Sequence, residues 1–299
     1  MKRAVRLWIV LAATLLASCS ASPSREAQTD ARAIPQRIVS QLPSLTETCF
    51  ARGVGDRVVG VTDYCLYPEE ARTRARIGGL HNPKFETVVS LRPDIVLLQD
   101  KQENFVAKYA ALGIHAMTFS TDTVADVITS IESLGQLLGR QEQARELVEK
   151  IRADFAALKP SADDVAPVPA LVIIGHDPGS LQGIYAAAKG SFHDELLVAA
   201  GGVNVVNDNG SLYPPITKDT VVARNPEVIL ELVNEAKLSP EQIEERVRLW
   251  DALPTVNAVR NGRVRVLVGD QLLIPGPRMA QAAALIHHAL HEVPAETHP

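Results

Sequence analysis

Aromatic residues make up only 4% of this 299-residue chain, with two tryptophans among them. Its three cysteines, Cys19, Cys49 and Cys65, form no CxxC pair, so the usual zinc-ribbon and dithiol signatures are absent. There is no GxSxG elbow, no phosphate-cradling glycine loop and no HExxH helix, which removes the common marks of hydrolases, nucleotide enzymes and zinc proteases. No basic stripe runs along the chain and the formal net charge is −5, so nucleic acid is not the expected partner. After Leu16 no apolar run is long enough to cross a bilayer. What remains is an ordinary globular balance, 46% hydrophobic and 22% charged, on a chain long enough for two domains with their own cores.

The N-terminus carries a targeting pattern. Lys2, Arg3 and Arg6 precede the apolar stretch from Leu7 to Leu16, which fits a signal-peptide core. It ends in Leu16-Ala17-Ser18-Cys19, which resembles a bacterial lipobox. That resemblance implies a signal peptide over 1–18 and a lipid on Cys19, hence an exported protein held at a membrane. Residues 19–36 are small and polar and read as a flexible tether. Cys49 and Cys65 would then meet an oxidising compartment. They are either bridged, which would stabilise by about 3 kcal/mol, or two buried thiols.

One pattern occurs twice. Glu86-Thr87-Val88-Val89 leads through Pro93-Asp94 into Ile95-Val96-Leu97, and Asp219-Thr220-Val221-Val222 leads through Pro226-Glu227 into Val228-Ile229-Leu230. Each copy reads as a short helix ended by proline, then a buried parallel strand. Two like lobes of α/β design follow, over 37–122 and 161–291, with a tail at 292–299. Between them, 123–160 keeps helical periodicity, weakened at Gly135 and Gly139. Its second part, Gln141 to Leu158, reads as one helix about 27 Å long, and Pro160, Pro167 and Pro169 follow it. The expected fold is therefore two parallel-sheet lobes joined by one long helix. Ser44 and Glu47 have capping-box spacing, so a helix is expected from Ser44. Asn82-Pro83 is expected to open the helix that carries Glu86.

Arg37-Ile38-Val39-Ser40 with Pro43-Ser44 and Thr46-Glu47, then Gly78-Gly79, Asn82-Pro83 and Glu86, resemble the cobalamin-binding proteins of ATP-driven importers. Gly190-Ser191-Phe192, Glu195-Leu196-Leu197, Gly201-Gly202 and Asn204 extend the resemblance into the second lobe. It implies a ligand cleft between the lobes and delivery to a membrane permease with its ATPase. Tyr64, Tyr185 and Tyr213 fall where the family sets aromatic rings against a corrinoid. Asp270 falls where a cleft acid meets the ligand's amide edge, and Pro43 and Ser44 match a loop at the cleft floor. Leu80 or its neighbour stands where a Trp is common. Glu86 and Asp219 match two acids, one per lobe, that dock on permease arginines. The resemblance implies a monomer with no resident cofactor, its cargo cobalamin or another metal chelate.

Haem, an iron–siderophore complex and a cobalamin precursor remain alternative cargoes. A stand-alone sensor or adhesin would keep the cleft without needing the paired acids. A metal-ion binder built on His287 and His291, or a hydrolase built on the loop from Gly175 to Ser180, is more remote. The histidine pair has i, i+4 spacing but no evident third ligand, and the loop has no triad partner. His81 and His176 lie in loops from which either could reach a metal in a chelate.

Overall fold

Short aliphatic runs ending in polar turns build the first sheet. The computed structural model describes residues 33–158, 166–207, 210–234 and 238–291. The signal peptide, Cys19, the tether as far as residue 32, the end of the connector and the tail lie outside the described residues. In chain order the first lobe holds β1 (Ile38–Ser40), α1 (Pro43–Ala51), β2 (Val58–Val61), β3 (Ala75–Arg76), α2 (Phe85–Ser90), β4 (Ile95–Gln99), α3 (Glu103–Ala111) and β5 (Ala116–Phe119). All strands pair in parallel, in the order β3-β2-β1-β4-β5. Strand order reverses between β1 and β4, and in such sheets a crevice opens there, beyond the strands' carboxyl ends.

The connector is two helices, α4 (Val124–Leu137) and α5 (Gln141–Ala157). The break falls at Gly139, whose φ of +67° turns the chain, as the sequence led us to expect. The crossing itself lies on α4. Its Val127 and Ile131 pack into the second lobe's core, while Leu134 and the following Leu138 pack into the first lobe's core. The longer α5 does not cross. It doubles back, burying Ala144, Val148 and Ile151 with the second lobe.

That lobe contains β6 (Val168–Gly175), β7 (Ile184–Ala186), α6 (Phe192–Ala199), β8 (Gly202–Asn204), β9 (Pro215–Ile216) and α7 (Lys218–Arg224). After these come β10 (Val228–Val233), α8 (Pro240–Leu249), α9 (Asn257–Arg260), β11 (Val264–Val268) and α10 (Met279–His291). Its sheet runs β11-β10-β6-β7-β9, with β8 also on β6. This corrects the expectation of a second parallel sheet. β7 is antiparallel to β6 and to β9, because the turn after Gly175 sends the chain straight back along β6. Asp177 N–H to Gln182 O and Ser180 N–H to Asp177 O close that turn.

The repeat is structural down to single dihedrals. α2 leads to β4 and α7 to β10, and both strands are buried. Each helix stops at a left-handed residue just before the proline, Arg92 at φ 44° and Asn225 at φ 42°. Proline disfavours the right-handed helical region in its predecessor, so the same chemistry ends both helices. Helix α2 begins at Phe85, later than expected, because Gly78 bridges to Pro83 and Lys84 N–H donates to Ile77 O.

Cys49 and Cys65 are free, buried thiols in the first lobe's core. Burial pushes Cys49 up to about 12 and raises Cys65 despite hydroxyls of Thr46 and Thr62 at 3.2 Å from its Sγ. The thiol alternative is the one the structure contains. We expect neither thiol to react with a thiol reagent at pH 8 in the native protein, and both to react after unfolding without reductant. An unfolded chain without titratable thiols at these positions would mean that they are bridged in the exported protein.

Candidate functional site

Loops at the carboxyl ends of the strands carry most of the expected site residues. Pro43 and Ser44 follow β1, Tyr64 follows β2, Leu80 follows β3 and Asp270 follows β11, while Tyr185 lies in β7 and Tyr213 precedes β9. The lobes are tied by a side-chain clamp. Arg278 Nη2 and Nε donate to the two carboxylate oxygens of Glu47 at 2.6 and 2.9 Å, and Nη1 donates to Asp270 Oδ1 at 2.8 Å. The guanidinium also sits 3.9 Å from the centre of the Tyr67 ring, a cation–π stack. Burial works against the charge on Arg278, but Glu47 and Asp270 outweigh it and raise its pKa. Burial raises the Glu47 carboxyl and Arg278 draws it back only in part. The two-toothed geometry is that of an ionised carboxylate–guanidinium pair.

This clamp explains why the capping box fails. Glu47 is 3% exposed and spends both oxygens on Arg278, so it does not reach back to the helix start. Helix α1 starts at Pro43, and the buried Ser44 Oγ has no hydrogen-bond partner among the described residues. The backbone before Arg278 presses on the same place. A Cβ on Gly276 would lie 3.3 Å from both Cα and Cβ of Ser44, so only glycine fits there comfortably.

The expected ligand residues divide into groups. Tyr64 and Tyr185 are 60% and 48% exposed, leaving their rings open to a ligand. Tyr213 is half-buried against the second core, and its hydroxyl donates to His193 Nδ1 at 3.0 Å, so only ring surface is left. Asp270 accepts from Arg278 through Oδ1, and its side chain is 30% exposed. Leu80 packs on the first core and its carbonyl accepts from Gln41 Nε2. Pro43 and Ser44 lie at the start of α1. Glu86 and Asp219 are both exposed, each in the first turn of its repeat helix, and neither forms an ion pair among the described residues. Sequence reasoning missed Glu47, Arg278 and Tyr67 as partners. An acid between Leu45 and Cys49 on a buried helix face needed a cation, and that was the signal available.

Four of the histidines are tied into the fold by hydrogen bonds. His176 places Nε2 3.1 Å from Glu231 Oε1 and Nδ1 2.9 Å from Asp177 O. Both partners are acceptors, so both ring nitrogens donate and the ring is an imidazolium; hydrogen bonding to Glu231 raises its pKa against burial. Arg246 and Trp250 also donate to Glu231, and these bonds lower its pKa although burial opposes its charge. The ring is therefore not free to ligate a chelated metal. His193 is the reverse case. It accepts from Tyr213 and donates to Leu272 O, and burial lowers it to about 4. His287 and His291 both bond the carbonyl of Ala200 at the end of α6. They close a helix terminus, and the remote metal alternative gains no ligand set from them. No group of three or more metal-ligating side chains occurs among the described residues. His81 is exposed.

A cavity of about 630 Å³ opens beside the clamp, lined by Glu47, Tyr67 and Arg278 together with Phe50, Arg74 and Gln281. It is framed by helix flanks, and none of Tyr64, Tyr185 and Tyr213 lines it.

Residues 38–270 match the family model for periplasmic binding proteins. The ABC transporter substrate-binding lipoprotein YvrC of Bacillus subtilis is 27% identical over 265 residues, covering 86% of this chain and 80% of that protein. The vitamin B12-binding protein of Photorhabdus laumondii is 25% identical over 262 residues, covering 87% and 90%. Among solved structures, the periplasmic vitamin B12 binding protein BtuF of Vibrio cholerae aligns with a TM-score of 0.71 at 26% identity, covering 86% of this chain and 97% of that one. The periplasmic heme-binding protein RhuT of Roseiflexus aligns at 0.70 and 25%, covering 86% and 99%.

Two outcomes follow for stability. Arg278→Met leaves Glu47 buried without its cation and should cost about 3–5 kcal/mol in urea unfolding, while adding Glu47→Leu should recover part of that loss. Costs of Arg278→Met and Glu47→Leu that simply add in the double variant would show that the clamp carries no coupling. His193 has a folded pKa below its unfolded value, so its contribution is full above about 6.5 and lost as pH falls towards 4. We expect a loss of about 3 kcal/mol over that window, removed by His193→Gln. Equal acid sensitivity in the two proteins would assign the effect to other groups.

Proposed function

We infer cargo and partner from kinship and geometry together: the chain belongs to the periplasmic binding protein family, and it serves as the substrate-binding component of an ABC importer. Its cargo, on this reading, is a corrinoid of the cobalamin type, held between the lobes. The observation that carries it is the pair of open tyrosine rings, Tyr64 and Tyr185, on loops and strands at the lobes' facing ends. A broad macrocycle would bury these rings. The similarity to two vitamin B12-binding proteins supports the same cargo. Haem is the second reading, supported by the similarity to RhuT.

Delivery follows from the repeat. A helix that precedes a parallel strand in a crossover runs opposite to it, so α2 and α7 both begin at the carboxyl edge of their sheets. Glu86 and Asp219 thus hold matching places in the two lobes. The helix N-terminus stabilises each charge without an internal partner, leaving both acids available to permease cations. Lipidation at Cys19 would keep the protein beside that permease. No helix among the described residues is long and apolar enough to cross a membrane.

Native mass spectrometry of a chain beginning at Ser20 tests the cargo. We expect a one-to-one complex with cyanocobalamin and none with a ferric siderophore; capture of haem alone would replace the corrinoid reading with the second one. Cell uptake of labelled cobalamin tests the docking. Glu86→Lys with Asp219→Lys should abolish uptake while cobalamin binding stays within about twofold of the unaltered protein. Normal uptake by that double variant would reduce both acids to helix-end charges.

A further inference from the structure

We propose that His176 is the positioning residue for the Tyr185 ring: its imidazolium, held by Glu231, anchors the turn that sets Tyr185 in place, and capture of a flat ligand weakens when that charge is lost. The proposal rests on the reading of Tyr185 as a cargo contact. It starts from how little else holds the Tyr185 segment. β7 has three residues, and its register with β6 shifts between Ile173 and Gly175, so Ile174 is an extra residue there. Tyr185 lies between Gly175 on β6 and Pro215 on β9. Gly175 gives the ring no cross-strand side chain, and Pro215 has no N–H to give the ladder.

The turn from His176 to Gly183 supplies the missing support. Leu181 seats its returning arm in an apolar cluster with Ile173, Ile184 and Ile229. The outgoing arm is tied through His176. That side chain is 2% exposed, with Nδ1 2.9 Å from Asp177 O and Nε2 3.1 Å from Glu231 Oε1. Asp177 is the centre of the turn. Its N–H donates to Gln182 O, its carbonyl also accepts from Ser180 N–H, and a Cβ on Gly183 would come within 2.8 Å of its carboxylate. One ring thus joins the centre of the turn to β10, which lies on the far side of β6 from Tyr185.

The tie needs both ring protons. A neutral imidazole keeps one N–H and must give up either Asp177 O or Glu231 as an acceptor. Around the ring, Glu231 on β10 supplies the negative charge and Arg246 on α8 shares its Oε1 at 2.7 Å. Glu245 and Gln242, also on α8, line a small cavity with the ring. Trp250 Nε1 donates to the other oxygen of Glu231. Hydrogen bonding to Glu231 raises the His176 pKa against the opposition of burial and Arg246. The tie is therefore complete below about pH 6.5 and is lost as pH rises through the raised folded value.

NMR of the chain from Ser20, with 13C in its tyrosine and histidine rings, tests the positioning without any ligand. His176→Gln and Tyr185→Phe assign the two signals. Between about pH 5 and 9, below tyrosine's own range, we expect the His176 ring to lose its proton above about 6.5. The Tyr185 ring signal should shift with the same midpoint, and that shift should be absent in His176→Gln. Calorimetric titration with cyanocobalamin reads the consequence. Binding should weaken about tenfold as His176 deprotonates, the scale of one aromatic contact, and should not change with pH over that range in Tyr185→Ala. A His176 ring already neutral at about pH 6, or a Tyr185 signal that ignores its titration or shifts equally in His176→Gln, overturns the positioning role whatever the cargo. An equal pH dependence of binding in Tyr185→Ala overturns the effect on capture. If the two rings titrate together but cyanocobalamin does not bind, the positioning role stands and the corrinoid reading falls.

Discussion

The Glu47–Arg278 pair joins helices 231 residues apart in the chain, and the relation between the lobes depends on it. Both side chains are largely removed from water, at 3% and 11% exposure. Two charges so placed are costly unless each satisfies the other, and here they do so through two hydrogen bonds, with Asp270 and the Tyr67 ring completing the guanidinium's surroundings. The pair holds the start of α10 against α1, and Gly276 allows that backbone to reach Ser44. The strand ends of the two sheets are thereby set facing each other, with α4 threading both cores nearby.

Function on this account uses what the clamp leaves over. Cations at the junction are neutralised, which suits an uncharged, hydrogen-bonding ligand better than a dicarboxylate. The open rings of Tyr64 and Tyr185 provide area. The N-terminal turns of α2 and α7 are exposed at Glu86 and Asp219, and the repeat gives each lobe the same open acid. A partner with two equivalent cationic sites could engage both, and two-point attachment fixes orientation as well as attraction.

The repeat was the most legible feature, because proline and buried aliphatics act through local chemistry. It survives as far as the left-handed Arg92 and Asn225. The break at Gly139 was readable for the same reason. The crossing was misplaced because periodicity reports that a helix has a buried face, not which core receives it; α4 feeds two cores and α5 one. β7 escaped notice because three residues carry almost no pattern. The clamp was hidden for a deeper reason. Capping-box spacing is a local signal, and a buried bidentate arginine from the far end of the chain outcompetes it. His287 and His291 likewise satisfy a distant carbonyl that no spacing rule could reveal.

If the clamp governs the lobes, their separation should be nearly the same with and without ligand. Electron–electron double resonance between spin labels at Glu86→Cys and Asp219→Cys measures this directly in a chain beginning at Ser20, since the buried native thiols should not take the label. The account predicts one narrow distance distribution that moves by less than about 2 Å when cyanocobalamin is added, and that broadens when Arg278 is replaced by Met. A broad distribution in the unliganded protein that narrows or shifts well beyond about 2 Å on binding would contradict it, and would make this a closing hinge rather than a clamped pair of lobes.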